Sequence, residues 1–486
     1  MSLSEEESLR LRSDDPTFAD AQRNLAEAAR MMARLGYLDV QGHISVRVSD
    51  SYVAITPSYG VGASPLSQLA PSDVVIVDYD GNVVAGRRSA TFELPLHLAV
   101  YRARPSVGSV LFSSAPYTVA FGIARRPLLP LTHAEAWFGV QDLPSLRPSG
   151  FYSDPERAES VVHAIANYPM CHISGMGAVF VGENLVTVMN RCHTYEHLAQ
   201  MNVLVMSLSN DARTVTAAEV AKIQADRGTG NSVQAVAQLD YFRSFDIPVP
   251  SGIADWADVA DHTAIGVKRR IAVACRILAS RGTLVEFREH VSERLPYGDS
   301  FAMSPAKSFA RMKPEDAAII GLEGDAEWIG GPLQPAPFRR YHRDIFAQRP
   351  DVRAIVHTHE MFGRAFALAR RDLSPVFRIG VQFARQIPTL EHPSMVFSNA
   401  DRAEAIQVLG KSEILHILAH GTDYLSSSLE GATVAAIHRE QAYSTYHLAL
   451  KVGEPRELSK SMISELGEHA PSAIDWWEFY AGLLAE

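Results

Sequence analysis

The chain aligns with itself, and this repetition limits its fold more than any other feature. RPSVGSVLFSSAP (104–116) lies over RPDVRAIVHTHEM (349–361), with the same Arg-Pro lead and the same apolar alternation, at a spacing of about 245 residues. Upstream, ELPLHLAVYRARP (93–105) matches FRRYHRDIFAQRP (338–350) without a gap and keeps His97 over His342. Downstream, SGMGAVFVG (174–182) matches LAHGTDYLS (418–426) and keeps Gly177 over Gly421. Tandem duplication is the simplest account. It agrees with the length, because 486 residues exceed what one hydrophobic core ordinarily serves.

Each copy opens with apolar residues at helical spacing: Leu25, Ala28, Ala29, Met32 and Leu35 in the first, Ile271, Ala274, Cys275 and Leu278 in the second. Gly36 and Gly282 are placed to stop those helices. Alternating segments such as ISVRVS, YVAITP and DVVIVDYDG then read as strands in hairpins, and helical stretches return around 93–104, 155–167 and 187–208 and at their counterparts. The expected class is α/β: an α/β/α layered fold with a largely antiparallel central sheet, present twice. The copies are drawn at 18–247 and 258–486, joined by a linker at 248–257. The two prolines of DIPVPSG (246–252) bar any continuation of the preceding helix.

With 55 acidic and 45 basic side chains, the net charge of −10 has the wrong sign for a phosphate backbone, so nucleic acid is not expected as a partner. The opening MSLSEEES lacks the features of a secretory signal, and no apolar run is long enough to span a bilayer. Cys171, Cys192 and Cys275 show no CxxC spacing, which argues against a disulfide framework or a thiolate zinc site. A cytoplasmic protein with a small-molecule substrate and no membrane partner fits these features.

The chemistry concentrates in AIVHTHE. The period of two in a strand puts His357 and His359 on one face, with Thr358 on the other. His420 ends a second apolar run, ILHILAHG, where Gly421 is expected to permit a sharp turn. Three neutral imidazoles suit a divalent Zn, Mn, Co or Fe ion and leave positions open for water and substrate.

The order of these signals resembles the class II aldolase/adducin family, whose pattern is a Glu-x3-His helix, an HTHP-type pair and a later NHG. The resemblance covers nearly the whole chain, once per half. It implies two tandem class II aldolase-like domains, the second binding metal through His357, His359 and His420. In the first copy Phe112, Ser114 and Met176 stand at the three ligand positions, so that copy is degenerate. Conversely, the family's acidic residue survives as Glu93 in the first copy and is Phe338 in the second. Glu93 is then expected to be a helix-surface carboxylate left over from the pattern. A replacement acid/base is sought in Glu360, which follows the HTH pair, and in Glu289 and His290 of the EHVSER stretch. Arg294, which matches Arg47, could clamp a substrate carboxylate or simply hold a turn. His97 and His342, kept in both copies, read as packed helix histidines.

Family aldolases that take sugar phosphates grip the phosphate at positions that here read Glu289-His290, Ser304-Pro305 and Ala336-Pro337. A carboxylate in that place disfavours a phosphate. The implied activity is a metal-dependent lyase that breaks a C–C bond of a non-phosphorylated, carboxylated or polyhydroxy substrate, by decarboxylation or retro-aldol cleavage, through a metal-stabilised enolate. A non-haem Fe(II) oxygenase on the same site and a non-catalytic adducin-like scaffold are the alternatives. Fourfold rings in the family imply a homodimer acting as a pseudo-tetramer of domains, with the first copy lending Tyr117, His133, Glu135 or Tyr152 to the metal site.

Overall fold

The computed structural model describes residues 16–38, 41–58, 65–132, 143–146, 152–226, 240, 242–243, 256–282, 289–324, 326–331, 338–376, 378–468 and 472–484. Two compact units emerge. The first takes its described residues from Met1–Leu129 and Phe138–Gln200, the second from Pro130–Trp137, Met201–Ser244 and Pro248–Glu486. The chain is therefore not divided at one point. Within the second unit Lys222 pairs with Asp401 at 2.8 Å, and Asp240 binds Arg311 at 2.7 Å and the Ser308 amide at 2.9 Å. The linker drawn at 248–257 lies outside the described residues as far as residue 255.

Among the described residues the first unit holds an eight-stranded sheet: β1 (His43–Arg47), β2 (Tyr52–Ile55), β3 (Val75–Asp78), β4 (Val83–Ala85), β5 (Ser109–Ser113), β6 (Ser145–Leu146), β7 (Met170–Ile173) and β8 (Gly177–Gly182). Its spatial order is β4-β3-β2-β1-β5-β8-β7-β6. The second unit repeats it with β9 (His290–Arg294), β10 (Ser300–Met303), β11 (Ala318–Gly321), β12 (Trp328–Gly330), β13 (Ala354–Thr358), β14 (Thr389–Leu390), β15 (Ile414–Ile417) and β16 (Gly421–Ser426), in the order β12-β11-β10-β9-β13-β16-β15-β14. The two sheets share one topology, and only the β6–β7 and β14–β15 pairs are parallel. A largely antiparallel α/β fold, duplicated, is what the alternation in the sequence requires.

Strand alternation sorts the core of the second unit into two layers. Val291, Ala302, Ala354, Val356 and Tyr424 pack with the helices Ala264–Ser280, Leu429–Val452 and Ala473–Leu483. Phe301, Met303, Ile355, Leu415 and Leu425 pack on the other side with Arg339–Gln348 and Asn399–Leu409. Each such buried aliphatic side chain is worth about 1.5–3 kcal/mol relative to exposure. The opening helices stop where the sequence placed their glycines: Pro16–Arg34 before Gly36 at φ +78°, and Ala264–Ser280 before Gly282 at φ +66°.

The turn between β15 and β16 departs from expectation. The residue that takes the left-handed conformation is Ala419, at φ +60°, where the first copy has Gly175 at φ +80°. A Cβ in this region costs about 1–2 kcal/mol, a penalty that asparagine tolerates better. Because Ala419 is buried, where an asparagine amide would lack partners, Ala419→Gly, the residue of the first copy, should be the change that raises the stability of the second unit, by roughly 1 kcal/mol, read as a shift in its urea midpoint. An unchanged midpoint would show that the turn carries no such strain.

Candidate metal centre

The order β9-β13-β16 sets His290, His357 and Asp423 side by side, since His357 is in register with His290 on one neighbour and with Asp423 on the other. All three project to the face covered by Arg339–Gln348, whose Tyr341 donates its hydroxyl to Asp423 at 2.8 Å. His359 lies just beyond β13, and His420 sits in the turn that enters β16. All three histidines are buried, and one ligand atom from each lies within 4.8 Å of the others.

Each imidazole turns its Nδ1 towards an acceptor. His357 Nδ1 donates to Asp423 Oδ1 at 2.7 Å, and His420 Nδ1 donates to the Ser394 carbonyl at 2.6 Å. His359 Nδ1 faces the Glu289 carboxylate at 3.8 Å, a charge contact beyond hydrogen-bond range. A proton fixed on Nδ1 leaves the Nε2 lone pair as the donor atom. His357 Nε2 and His359 Nε2 lie 3.3 Å apart. Two lone pairs facing each other at that distance in a dry interior repel unless a cation or a proton lies between them. The residues therefore fit a divalent ion held by His357, His359 and His420.

Gly421 serves this centre by leaving room. Its φ is not in the left-handed range, so the turn does not demand glycine there, contrary to the sequence reading. A Cβ on it would lie 2.8 Å from His357 Nε2 and 2.6 Å from the Thr358 carbonyl oxygen. Gly177 is crowded in the same way, 2.3 Å from the Ser113 carbonyl oxygen and 2.9 Å from the Phe112 ring.

Asp423, Tyr341 and Ser394 are absent from the sequence reading, although the repeat held a signal for two of them. An aspartate stands in the apolar strand GTDYLS opposite Val179, and Tyr341 stands opposite Leu96. The first copy has thus lost the supports as well as the ligands. Replacing Asp423 by Asn leaves one acceptor for His357 but turns an NH2 towards Tyr341. We expect metal affinity to fall by about 10–100-fold, as is usual for such supporting carboxylates. Chelator competition measures it; unchanged affinity would remove Asp423 from the centre.

Of the other residues singled out in the sequence, Glu289 and His290 are brought to the triad, and both are buried. Glu360 is not. It shares the opposite face of the sheet with Thr358, whose hydroxyl it accepts at 2.7 Å, and it accepts the Tyr424 hydroxyl at 3.1 Å. Its charge offsets the buried Arg439 at 3.9 Å. Arg294 does not reach the triad either. It donates to the carbonyls of Val352 at 2.8 Å and Arg349 at 3.3 Å and to that of Phe346, whose ring it also covers. Arg47 does the same for Val107, Tyr101 and Arg104, so both arginines hold a helix-to-strand corner. Tyr152 is packed in the first core and Tyr117 is half-buried, while His133, Glu135 and Ala336-Pro337 lie outside the described residues.

Glu93 is no surface carboxylate, because it is only 7% exposed. Burial alone would raise its pKa, yet the hydrogen bond and charge of His43 at 2.9 Å and the Tyr152 amide at 3.0 Å outweigh burial and hold the carboxyl below its ordinary range. With that acceptor in place a whole chain of bonds is ordered. His43 Nδ1 meets His97 Nε2 at 2.7 Å, His97 Nδ1 meets Ser45 Oγ at 2.6 Å, and Ser45 Oγ meets Tyr101 OH at 2.8 Å. The second copy keeps the middle of this chain, His290 to His342 at 2.7 Å and His342 to Ser292 at 2.6 Å, but has Phe338 and Phe346 at its two ends. His290 Nε2 is consequently buried with no hydrogen-bond partner. Its ring stacks between Phe338 and His357, each 4.4 Å away. Burial drives its pKa well below the ordinary histidine value, and its histidine neighbours push it the same way, so it is a neutral imidazole.

Comparison with known proteins agrees with this geometry. The model of the Class II Aldolase and Adducin N-terminal domain matches twice, over residues 23–203 and 269–447. A 3,4-dihydroxyphthalate decarboxylase of Arthrobacter keyseri is 26% identical over 235 residues, covering 45% of this chain and 92% of that protein. The 5-methylthioribulose-1-phosphate/5-deoxyribulose-1-phosphate aldolase of Rhodospirillum rubrum is 30% identical over 163 residues, covering 33% of this chain and 72% of that protein. Among solved structures, an aldolase II superfamily protein from Pseudomonas syringae aligns at 19% identity with a TM-score of 0.43, over 49% of this chain and 96% of its own. Among the described residues no helix is long and apolar enough to cross a membrane. With one match over each sheet, the chain belongs to the class II aldolase and adducin N-terminal domain family and carries that domain twice.

Proposed function

We propose that the second copy is a metal-dependent lyase that decarboxylates a small, non-phosphorylated substrate bearing a carboxylate beside vicinal oxygens. The observation that carries this reading is the convergence of three buried imidazoles whose Nδ1 atoms are turned to acceptors. A divalent ion held by His357, His359 and His420 would supply Lewis-acid polarisation of substrate oxygens. Zinc, manganese, cobalt and iron all suit the ligand set.

The chain's own residues do the rest. Asp423 and Tyr341 keep the His357 proton on Nδ1, and the Ser394 carbonyl does so for His420. Phe338, buried against His290 and Phe397, excludes water from that side. Retro-aldol cleavage needs a base for the substrate hydroxyl, and the family's carboxylate there has become Phe338. Loss of CO2 leaves a carbanion that needs only a proton. His290, a neutral imidazole backed by His342 and Ser292, lies beside the triad and would orient the substrate there, while solvent water would supply the proton.

Glu289 disfavours a phosphate, and the Ser304 hydroxyl is engaged by the Val291 amide at 3.0 Å. The name of the Arthrobacter relative supports a hydroxylated aromatic carboxylate as the substrate class.

Metal analysis of protein purified without chelators, combined with a screen for CO2 release from hydroxylated carboxylates, tests the proposal. We expect one ion per chain, absent in His357→Ala and retained in Glu93→Ala. Aldehyde in place of CO2 would make the reaction retro-aldol, and oxygen uptake with iron would make it an oxygenation. No bound metal even after reloading would leave a scaffold.

A further inference from the structure

The first copy carries a pocket that the metal chemistry does not use. It has a volume of about 200 Å3 and is lined chiefly by Phe121, Arg125, Arg126, Leu128, His172 and Tyr195. At the equivalent place in the second copy the buried Arg439 stands where Tyr195 stands in the first. Arg439 contacts His416 and the hydroxyls of Tyr424 at 3.2 Å and Tyr443 at 3.0 Å, with Glu360 balancing its charge. All of these partners except the histidine have changed in the first copy. Ala115 stands for Glu360, Phe180 for Tyr424 and Ala199 for Tyr443, while His172 keeps the place of His416. A buried ionic cluster has been exchanged for small and apolar residues around a retained histidine.

Three features give this space the character of a ligand site. His172 is 5% exposed, and its Nε2 is fixed to Tyr195 OH at 2.7 Å, so a buried polar pair forms the floor. His172 Nδ1 is buried against Gly122 with no hydrogen-bond partner, where His416 Nδ1 has the Thr422 hydroxyl at 2.9 Å. The rim carries Arg125 and Arg126, neither of which has an ion pair among the described residues. Arg370, the counterpart of Arg125, pairs with Glu391 at 2.8 Å. Arg125 is also held at φ +49°, an unfavourable conformation for a residue with a Cβ.

We propose that this pocket binds a small organic monocarboxylate with a planar apolar body, the carboxylate on Arg125 and Arg126 and the body between Phe121 and Leu128 over the His172–Tyr195 pair. Paired guanidiniums suit a carboxylate. A free phosphate suits the site less well, because Arg125 caps the C-terminal end of the helix Pro116–Ala124, where the carbonyl dipoles point outward and there are no free amides to cradle a dianion. The proposal does not depend on the reaction assigned to the second copy.

Titration of the full chain with benzoate, with inorganic phosphate as the contrasting probe, followed by calorimetry at low and at 0.5 M salt, tests it. We expect benzoate to bind in the millimolar range or tighter and to weaken with salt, with phosphate failing to compete. The double variant Arg125→Gln/Arg126→Gln should lower the affinity at least tenfold, and Ser145→Trp, at an exposed lining position in register with His172, should block the pocket. Binding must also survive His357→Ala, which separates it from the metal centre. No benzoate binding, equal binding in both variants, or displacement by phosphate would each overturn the assignment.

Discussion

Gly421→Ala is expected to give a folded protein that no longer retains metal, while Gly177→Ala loses as much stability but keeps it. The two glycines are equivalent in the repeat, and each leaves no room for a Cβ. Overpacking of this kind costs about 1–3 kcal/mol, so both variants should lose comparable stability in urea. What the Cβ meets differs. In the first copy it presses the Phe112 ring, which has no ligand role. In the second it presses His357 Nε2 itself at 2.8 Å, and Asp423 on the far side of the ring bars an easy retreat. A ligand moved by even a few tenths of an ångström no longer shares an ion with its partners, and we expect the affinity to fall by at least about a hundredfold. Equal metal content in the two variants would dissociate Gly421 from the centre.

Glu93→Gln should cost the first unit about 1–3 kcal/mol, the usual result of leaving a buried hydrogen-bonding group unsatisfied. The amide cannot accept from both His43 and Tyr152 as the carboxylate does, and its NH2 group turns against one of them. The sign with pH follows from the lowered pKa. The Glu93 contribution is fully present above the carboxyl's unfolded value, near pH 4.3, and is lost as the pH falls through the lower folded value. Wild type and variant should therefore converge in stability on acidification below about pH 4, and metal content should be the same in both. A constant gap between them down to pH 3 would mean that Glu93 contributes through packing and not through charge.

Much of the architecture is legible in the sequence, because it rests on periodicity. A two-residue alternation cannot mistake its face, so His357 and His359 fell on one side with certainty, and the matched halves gave the repeated sheet. The failures have a common physical origin. Glu360 follows the ligands in sequence, and proximity along the chain suggested a role, yet the same alternation turns it to the other face. The burial of Glu93 is not legible in the sequence, because it depends on His43, 50 residues away, and on a backbone amide that no side-chain pattern reveals. Ser394 acts only through its carbonyl, so nothing in its identity could have marked it.

The supports around His357 bear on the history of the chain. The two copies differ not only at the three ligand positions but also at those of Asp423 and Tyr341, where Val179 and Leu96 stand in the first. Any one of these reverted alone would bury a polar group without its partner, at a cost of about 1–3 kcal/mol and with no ion to recover it. Selection acting one step at a time then meets a penalty on every route back, and the duplication behaves as a ratchet. The copy that lost its ion is held away from regaining it, and its evolution stays open only towards other uses of the same scaffold.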